Sequence, residues 1–85
     1  MKHEIWTDGI TVWINSGIDG SSIARFGKNG IDIHTSFSAQ RDGAAECLHC
    51  THEPVTAEDW ETFKREVKCH HDVLVTDEYK PKRFR

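Results

Sequence analysis

The sequence predicts a small α+β domain: a four-stranded antiparallel β-meander packed against one C-terminal α-helix, with a Cys- and His-containing loop between them. Three observations carry this expectation. Two runs rich in β-branched and aromatic residues flank Asp8-Gly9, and two more flank Asn29-Gly30. Trp60, Phe63 and Val67 then recur at helical spacing. At 85 residues the chain has room for one domain and no more.

Ile5-Trp6-Thr7 and Ile10-Thr11-Val12-Trp13-Ile14 read as the first hairpin. Asp-Gly suits a two-residue type I′ turn, whose central positions both need positive φ. Asn15 to Ser22 is a turn region of Asn, Ser, Gly and Asp. Ile23-Ala24-Arg25-Phe26 and Ile31-Asp32-Ile33-His34 form the second hairpin around Asn29-Gly30. Two-residue loops set Thr7 against Ile10, Ile5 against Val12, and Phe26 against Ile33. Side chains alternate across a sheet. One face then carries Ile5, Ile10, Val12, Ile14, Ala24, Phe26, Ile31 and Ile33 as the core. The other carries Glu4, Trp6, Thr11, Trp13, Ile23, Arg25, Asp32 and His34, with Trp6 and Trp13 as diagonal neighbours.

Residues 36–55 show no period and read as a long loop. Residues 57–71 read as a helix, capped by Thr56 with Asp59 answering back. The stripe Trp60, Phe63, Val67 extends to His70, His71 and Leu74, and Glu61 with Arg65 forms an i,i+4 pair. Val73-Leu74-Val75 reads as a short edge strand or a strap. The expected boundaries are residues 1–79 for the domain and 80–85 for a basic, solvated tail.

Composition narrows the function. The formal net charge of −3 excludes a wholly basic nucleic-acid binder. The tail concentrates Lys80, Lys82, Arg83 and Arg85, which makes it a candidate contact to nucleic acid. Three cysteines, an odd number, and the polar start Met1-Lys2-His3-Glu4 predict a cytoplasmic, reducing setting, with Cys as metal ligands or buried thiols. Nothing approaches a membrane span.

Cys47-Leu48-His49-Cys50 is half of a zinc knuckle, because two thiolates at this spacing can grip one ion from a tight turn. The expected ligand set for one structural zinc is Cys47, Cys50, His52 and His71. His49 and His70 are substitutes and His34 is a spare. Cys69 should face away from the core. A redox Cys-x-x-Cys wants its first Cys at a helix N-terminus, and the segment from Thr51 to Thr56 does not look helical. Asp32 and His34 share a face, yet no paired nucleophile or phosphate-binding Gly loop accompanies them, so no enzyme is expected.

Trp6 and Trp13 admit two readings. Either a loop or the strap covers them as a second small core, or they form an exposed patch with Arg25, Asp32 and His34. An aromatic centre with a polar rim is the composition of a protein-binding hot spot.

The stretches Ile5-Trp6-Thr7-Asp8-Gly9-Ile10-Thr11-Val12-Trp13, Ile23-Ala24-Arg25-Phe26-Gly27 to His34, and Cys47-Leu48-His49-Cys50-Thr51-His52 resemble small accessory proteins of tailed phages and prophages. The resemblance implies a context: a non-enzymatic module in the host cytoplasm that binds and blunts or redirects one host protein, such as a CRISPR effector, a nuclease or an RNA polymerase. It assigns no residue a role. The combined expectation is a protein-binding module using Trp6, Trp13, Arg25, Asp32 and His34. The alternative is a zinc-stapled nucleic-acid binder using the basic tail.

Overall fold

The computed structural model describes residues 3–17, 22–35 and 46–85. Its strands are β1 (Glu4–Thr7), β2 (Val12–Asn15), β3 (Ser22–Gly27), β4 (Gly30–His34) and β5 (Cys47–Thr51). They form one open antiparallel sheet of five strands in chain order. Helix α1 (Ala57–His71) follows, then a strap with two short 3-10 turns, Asp77–Tyr79 and Lys82–Phe84. Among the described residues no helix is long and apolar enough to cross a membrane.

The sheet has one strand more than expected. β5 lies inside the stretch read as loop, and it is an edge strand whose Cys, His and Thr side chains give no apolar alternation. The remainder of that loop, 36–45, and residues 18–21 of the expected turn region lie outside the described residues.

Both hairpins keep the expected faces while shifting the expected partners by two residues. Thr7 pairs with Val12 and Ile5 with Ile14, so the first loop is Asp8 to Thr11. Asp8 explains the longer loop. Its Oδ1 accepts from the Ile10 and Thr11 N–H groups at 2.9 and 2.8 Å, an Asx turn that a two-residue loop cannot accommodate. Those bonds, that from Thr11 foremost, hold the Asp8 carboxyl below its ordinary range. Gly9 supplies the one glycine φ above zero, +91°, among the described residues. Ile10, expected in the core, sits in this loop and is 56% exposed.

In the second hairpin Phe26 pairs with Ile31 and Gly27 with Gly30, so the turn is Lys28-Asn29. Neither turn residue has positive φ. Gly30 is needed one step later, inside β4, where the Thr51 carbonyl of β5 lies against its Cα. A shift of two leaves every side chain on its original face, because the period of a strand is two.

Ile23 departs from that rule. A register shift between Ile14 and Asn15 leaves Ile23 unopposed, and both Ile23 and Ala24 become buried. A bulge of this kind turns consecutive side chains toward one side.

Helix α1 forms where expected. Thr56 Oγ1 accepts from the Asp59 N–H at 3.3 Å, and Asp59 Oδ2 accepts from the Thr56 N–H at 2.8 Å, a complete capping box. Trp60, Phe63 and Val67 are fully buried against Val12, Ile14, Phe26, Ile31 and Ile33. The helix ends at Asp72 in the left-handed region, φ 55°, its N–H bonded to Lys68 O at 3.0 Å. The stripe does not extend as expected: His70 is exposed beside Glu66 and Leu74 is 71% exposed. Glu61 meets Lys64 rather than Arg65, at 2.9 Å.

Beyond α1 the chain is a strap. Val73 and Val75 are buried while Leu74 points away. The segment expected as a solvated tail docks onto the fold. Lys82 donates its N–H to Gly9 O at 3.0 Å, Pro81 is buried, and the Phe84 ring lies 6.1 Å from Phe26.

Asp77 pins the strap to the helix. Its Oδ1 accepts from the indole Nε1–H of buried Trp60 at 3.0 Å and from Lys64 Nζ at 2.7 Å. Lys64 first, then Trp60, holds this carboxyl below its ordinary range. A depressed carboxyl pKa stabilises the fold above the unfolded value and loses that contribution as pH falls through the folded one. Thermal melting should therefore show an Asp77-dependent loss below about pH 4. Asp77→Ala should remove that part of the pH dependence and lower the neutral-pH midpoint by roughly 5 °C, because the indole donor loses its partner.

Candidate functional site

The face of the sheet turned away from α1 carries one continuous cross-strand row. Trp6 opposes Trp13, Trp13 opposes Arg25, Arg25 opposes Asp32, and Asp32 opposes Cys50. His34 opposes Cys47 beside it. Opposed residues in an antiparallel pair share a face, so register alone assembles this surface.

Trp6 and Trp13 face each other directly rather than diagonally. Their ring centroids are 4.5 Å apart and the planes tilt by 42°. Trp6 is 55% exposed and Trp13 partly buried. This tilted contact shields part of each ring from water, which lowers the cost of leaving the pair exposed. Neither ring lies under the helix with the isoleucines.

Arg25 and Asp32, also directly opposed, form an ion pair at 2.6 Å. The Arg25 side chain is half exposed, so the pair is worth little to stability. Two shallow depressions flank the row. One of about 270 Å³ is lined by Trp13, Arg25, Lys28, Asp32 and His52, among others. A second of about 290 Å³ includes Ser22 and His34 with the same Trp13, Arg25 and Asp32. Neither reaches the range of roughly 300–1,000 Å³ that encloses a small-molecule ligand.

At the β5 end the row meets the cysteines. In a regular strand, residues three apart point to opposite faces. Here the register shifts between Ile33 and His34, so that Cys47 pairs with His34 and His49 with Ile33. Leu48 is thereby bulged out, and Cys47 and Cys50 come to the same side. The two sulfurs are joined as a disulfide, with Cα atoms 6.0 Å apart. A ring nitrogen of His34 and both sulfurs lie within 4.8 Å of one another.

This cluster differs from the expected ligand set. Among the described residues it brings together His34, Cys47 and Cys50, while His52 and His71 stand outside it. His71 is occupied elsewhere: its Nε2 lies 2.8 Å from the main-chain carbonyl of His34. Burial pushes its pKa down, with His3 and His70 adding to the effect and the His34 carbonyl opposing it. His52 follows β5 and borders the Trp13 depression instead. Cys69 is exposed, as expected. No signal in the sequence pointed to His34 over His52, because only the β4–β5 bulge selects it.

The tail cations separate. Lys82 and Arg83 border a depression of about 420 Å³ together with Asp8, Gly9, Ile10 and Lys28. Arg85 is spent internally, donating to Glu78 O at 2.6 Å and Lys80 O at 3.1 Å.

Compared with known protein families, curated proteins and solved structures, the chain matches none of them.

Proposed function

We propose that this chain is a non-enzymatic protein-binding module whose contact surface is the outer sheet face centred on Trp6 and Trp13. The observation that carries the reading is the tilted tryptophan pair, Trp6 half exposed and Trp13 partly buried, on a sheet face whose opposite side already holds the core. Trp and Arg are the residues most often found as energetic anchors at interfaces. Arg25, Asp32 and His34 supply a polar rim, and the shallow depressions suit side chains rather than an enclosed ligand. The second part of the proposal is one zinc ion at His34, Cys47 and Cys50 when the cysteines are reduced. The phage-type form of the reading, inhibition or redirection of a host protein, rests on the sequence resemblance alone.

The test compares the full chain with Trp6→Ser/Trp13→Ser. Proteins captured by the immobilised chain from the cells that carry the gene are purified and titrated back, with tryptophan emission as the readout. Trp60 is buried and should not respond. The double substitution should weaken a genuine partner by roughly a hundredfold or more, with the melting curve little changed. Equal binding by both proteins, or unfolding of the double variant, would overturn the reading. The nucleic-acid alternative draws on Lys28, Lys82 and Arg83 around one depression. Binding of a single-stranded oligonucleotide that falls steeply with salt, and is lost in Lys82→Ala/Arg83→Ala, would replace the protein-binding reading.

A further inference from the structure

We infer that Cys47, Cys50 and His34 form a thiol-gated zinc site in which the Cys47–Cys50 disulfide and a bound zinc ion are mutually exclusive states of one cluster. The inference rests on the zinc part of the proposed function and is independent of the protein-binding part.

The geometry comes first. A tetrahedral zinc with Zn–S near 2.3 Å and Zn–N near 2.0–2.1 Å sets its ligand atoms about 3.6–3.8 Å apart. The ring nitrogen of His34 lies within 4.8 Å of both sulfurs, and once the disulfide is reduced the two sulfurs can part to that spacing by side-chain rotation. Two soft thiolates and an imidazole are a donor set that selects zinc over the hard cations. Among the described residues no fourth ligand joins them.

Backbone pairing and hydrogen bonds flank the cluster on both sides. Leu48 is bulged out of the β4–β5 pairing, and that bulge turns both sulfurs to one side. Beyond it, the Thr35 N–H donates to Glu46 O at 2.9 Å, and the Glu46 N–H donates to Thr35 Oγ1 at 3.0 Å. His71 holds the His34 carbonyl from the helix side. The strands thus present the three donors whether or not the sulfurs are bonded.

Exclusion follows from electron count. A zinc ligand must be a thiolate with a free charge, and a disulfide sulfur has none. Zinc entering the reduced cluster displaces two thiol protons. Oxidation by a small disulfide such as oxidised glutathione forms the Cys47–Cys50 bond, breaks the glutathione bond and yields two glutathione thiolates, which take up two protons from water. Zinc leaves unchanged in oxidation state. Thiol–disulfide balance thus sets metal occupancy.

The test uses the full chain with Cys69→Ser, which removes the exposed third thiol. The reduced protein is titrated with cobalt(II), then with zinc. The expected result is one ion per chain, with thiolate-to-cobalt charge-transfer bands and tetrahedral d–d bands that zinc abolishes. Oxidised glutathione should release the zinc as the intramolecular disulfide appears in the mass spectrum. His34→Gln should weaken metal binding by roughly a hundredfold while the disulfide still forms. His52→Gln should leave the affinity unchanged. Absence of cobalt bands in the reduced chain would overturn the zinc reading itself. Equal metal binding by oxidised and reduced chains would overturn the gating alone. Unchanged affinity in His34→Gln would overturn the assignment of His34. Partner capture through Trp6 and Trp13 is measured separately, so loss of either proposal leaves the other standing.

Discussion

Phe26→Ala should cost about 3–5 kcal/mol, the range for removing a buried aromatic ring. Phe26 is fully buried and is the point where helix, sheet and strap meet. Its ring lies 5.3 Å from Trp60, 5.4 Å from Phe63 and 6.1 Å from Phe84. Truncation removes three aromatic contacts at once and leaves a cavity that rigid strands cannot close. A domain of this size has a total stability at the low end of about 5–15 kcal/mol, so the variant should be substantially unfolded at 37 °C. Phe26→Leu keeps most of the volume and should retain a cooperative transition. Urea denaturation followed by far-UV circular dichroism measures both. A loss below about 1.5 kcal/mol for Phe26→Ala would mean that the strap does not pack on the core as described.

Gly30→Ala should have the next largest effect, for a steric reason. A Cβ at Gly30 would overlap the carbonyl oxygen of Thr51, with the Thr51 carbonyl carbon 3.4 Å and the His52 Cα 3.5 Å away. The obstacle is main chain, so no side chain can rotate out of the way. β4 and β5 must separate, weakening the bond from the Ile31 N–H to Thr51 Oγ1 at 3.1 Å. The expected cost is about 1–3 kcal/mol. Damage should concentrate in β5, seen as loss of hydrogen-exchange protection over residues 47–51 and as weaker metal binding by the reduced His34, Cys47 and Cys50. Gly27→Ala is the control, since the nearest atom to its added Cβ is Gly30 O at an ordinary 3.6 Å. Equal melting of Gly30→Ala and the parent protein would refute the close approach of β5.

The two substitutions probe different parts of the candidate surface. Phe26 lies behind it, in the core beneath the central strands. Gly30 lets the edge strand come close enough to complete it. The tryptophan pair should survive Gly30→Ala, because Trp6 and Trp13 belong to β1 and β2. The thiol cluster should not, because it exists only through the β4–β5 pairing.

Local sequence dictates the helix over 57–71, its Thr56–Asp59 cap, the buried Trp60, Phe63 and Val67, and, Ile23 apart, which residues of β1 to β4 share a face. These follow from interactions a few residues apart and from the period of two along a strand. The period explains why Trp6, Trp13, Arg25 and Asp32 share one surface both in the expected pairing and in the observed one, which differs by two residues in each hairpin. Tertiary structure alone decided the rest. β5 is a strand because β4 offers an unpaired edge, and nothing in Cys-Leu-His-Cys-Thr requires that pairing. Ile23 reached the core, and Cys47 reached His34, through bulges that compensate for pairings between distant segments. The basic end docked because Pro81 and Phe84 found apolar surface beside Phe26. Each of these outcomes depends on contacts between residues far apart in the chain, and a reading of neighbouring residues carries no term for them.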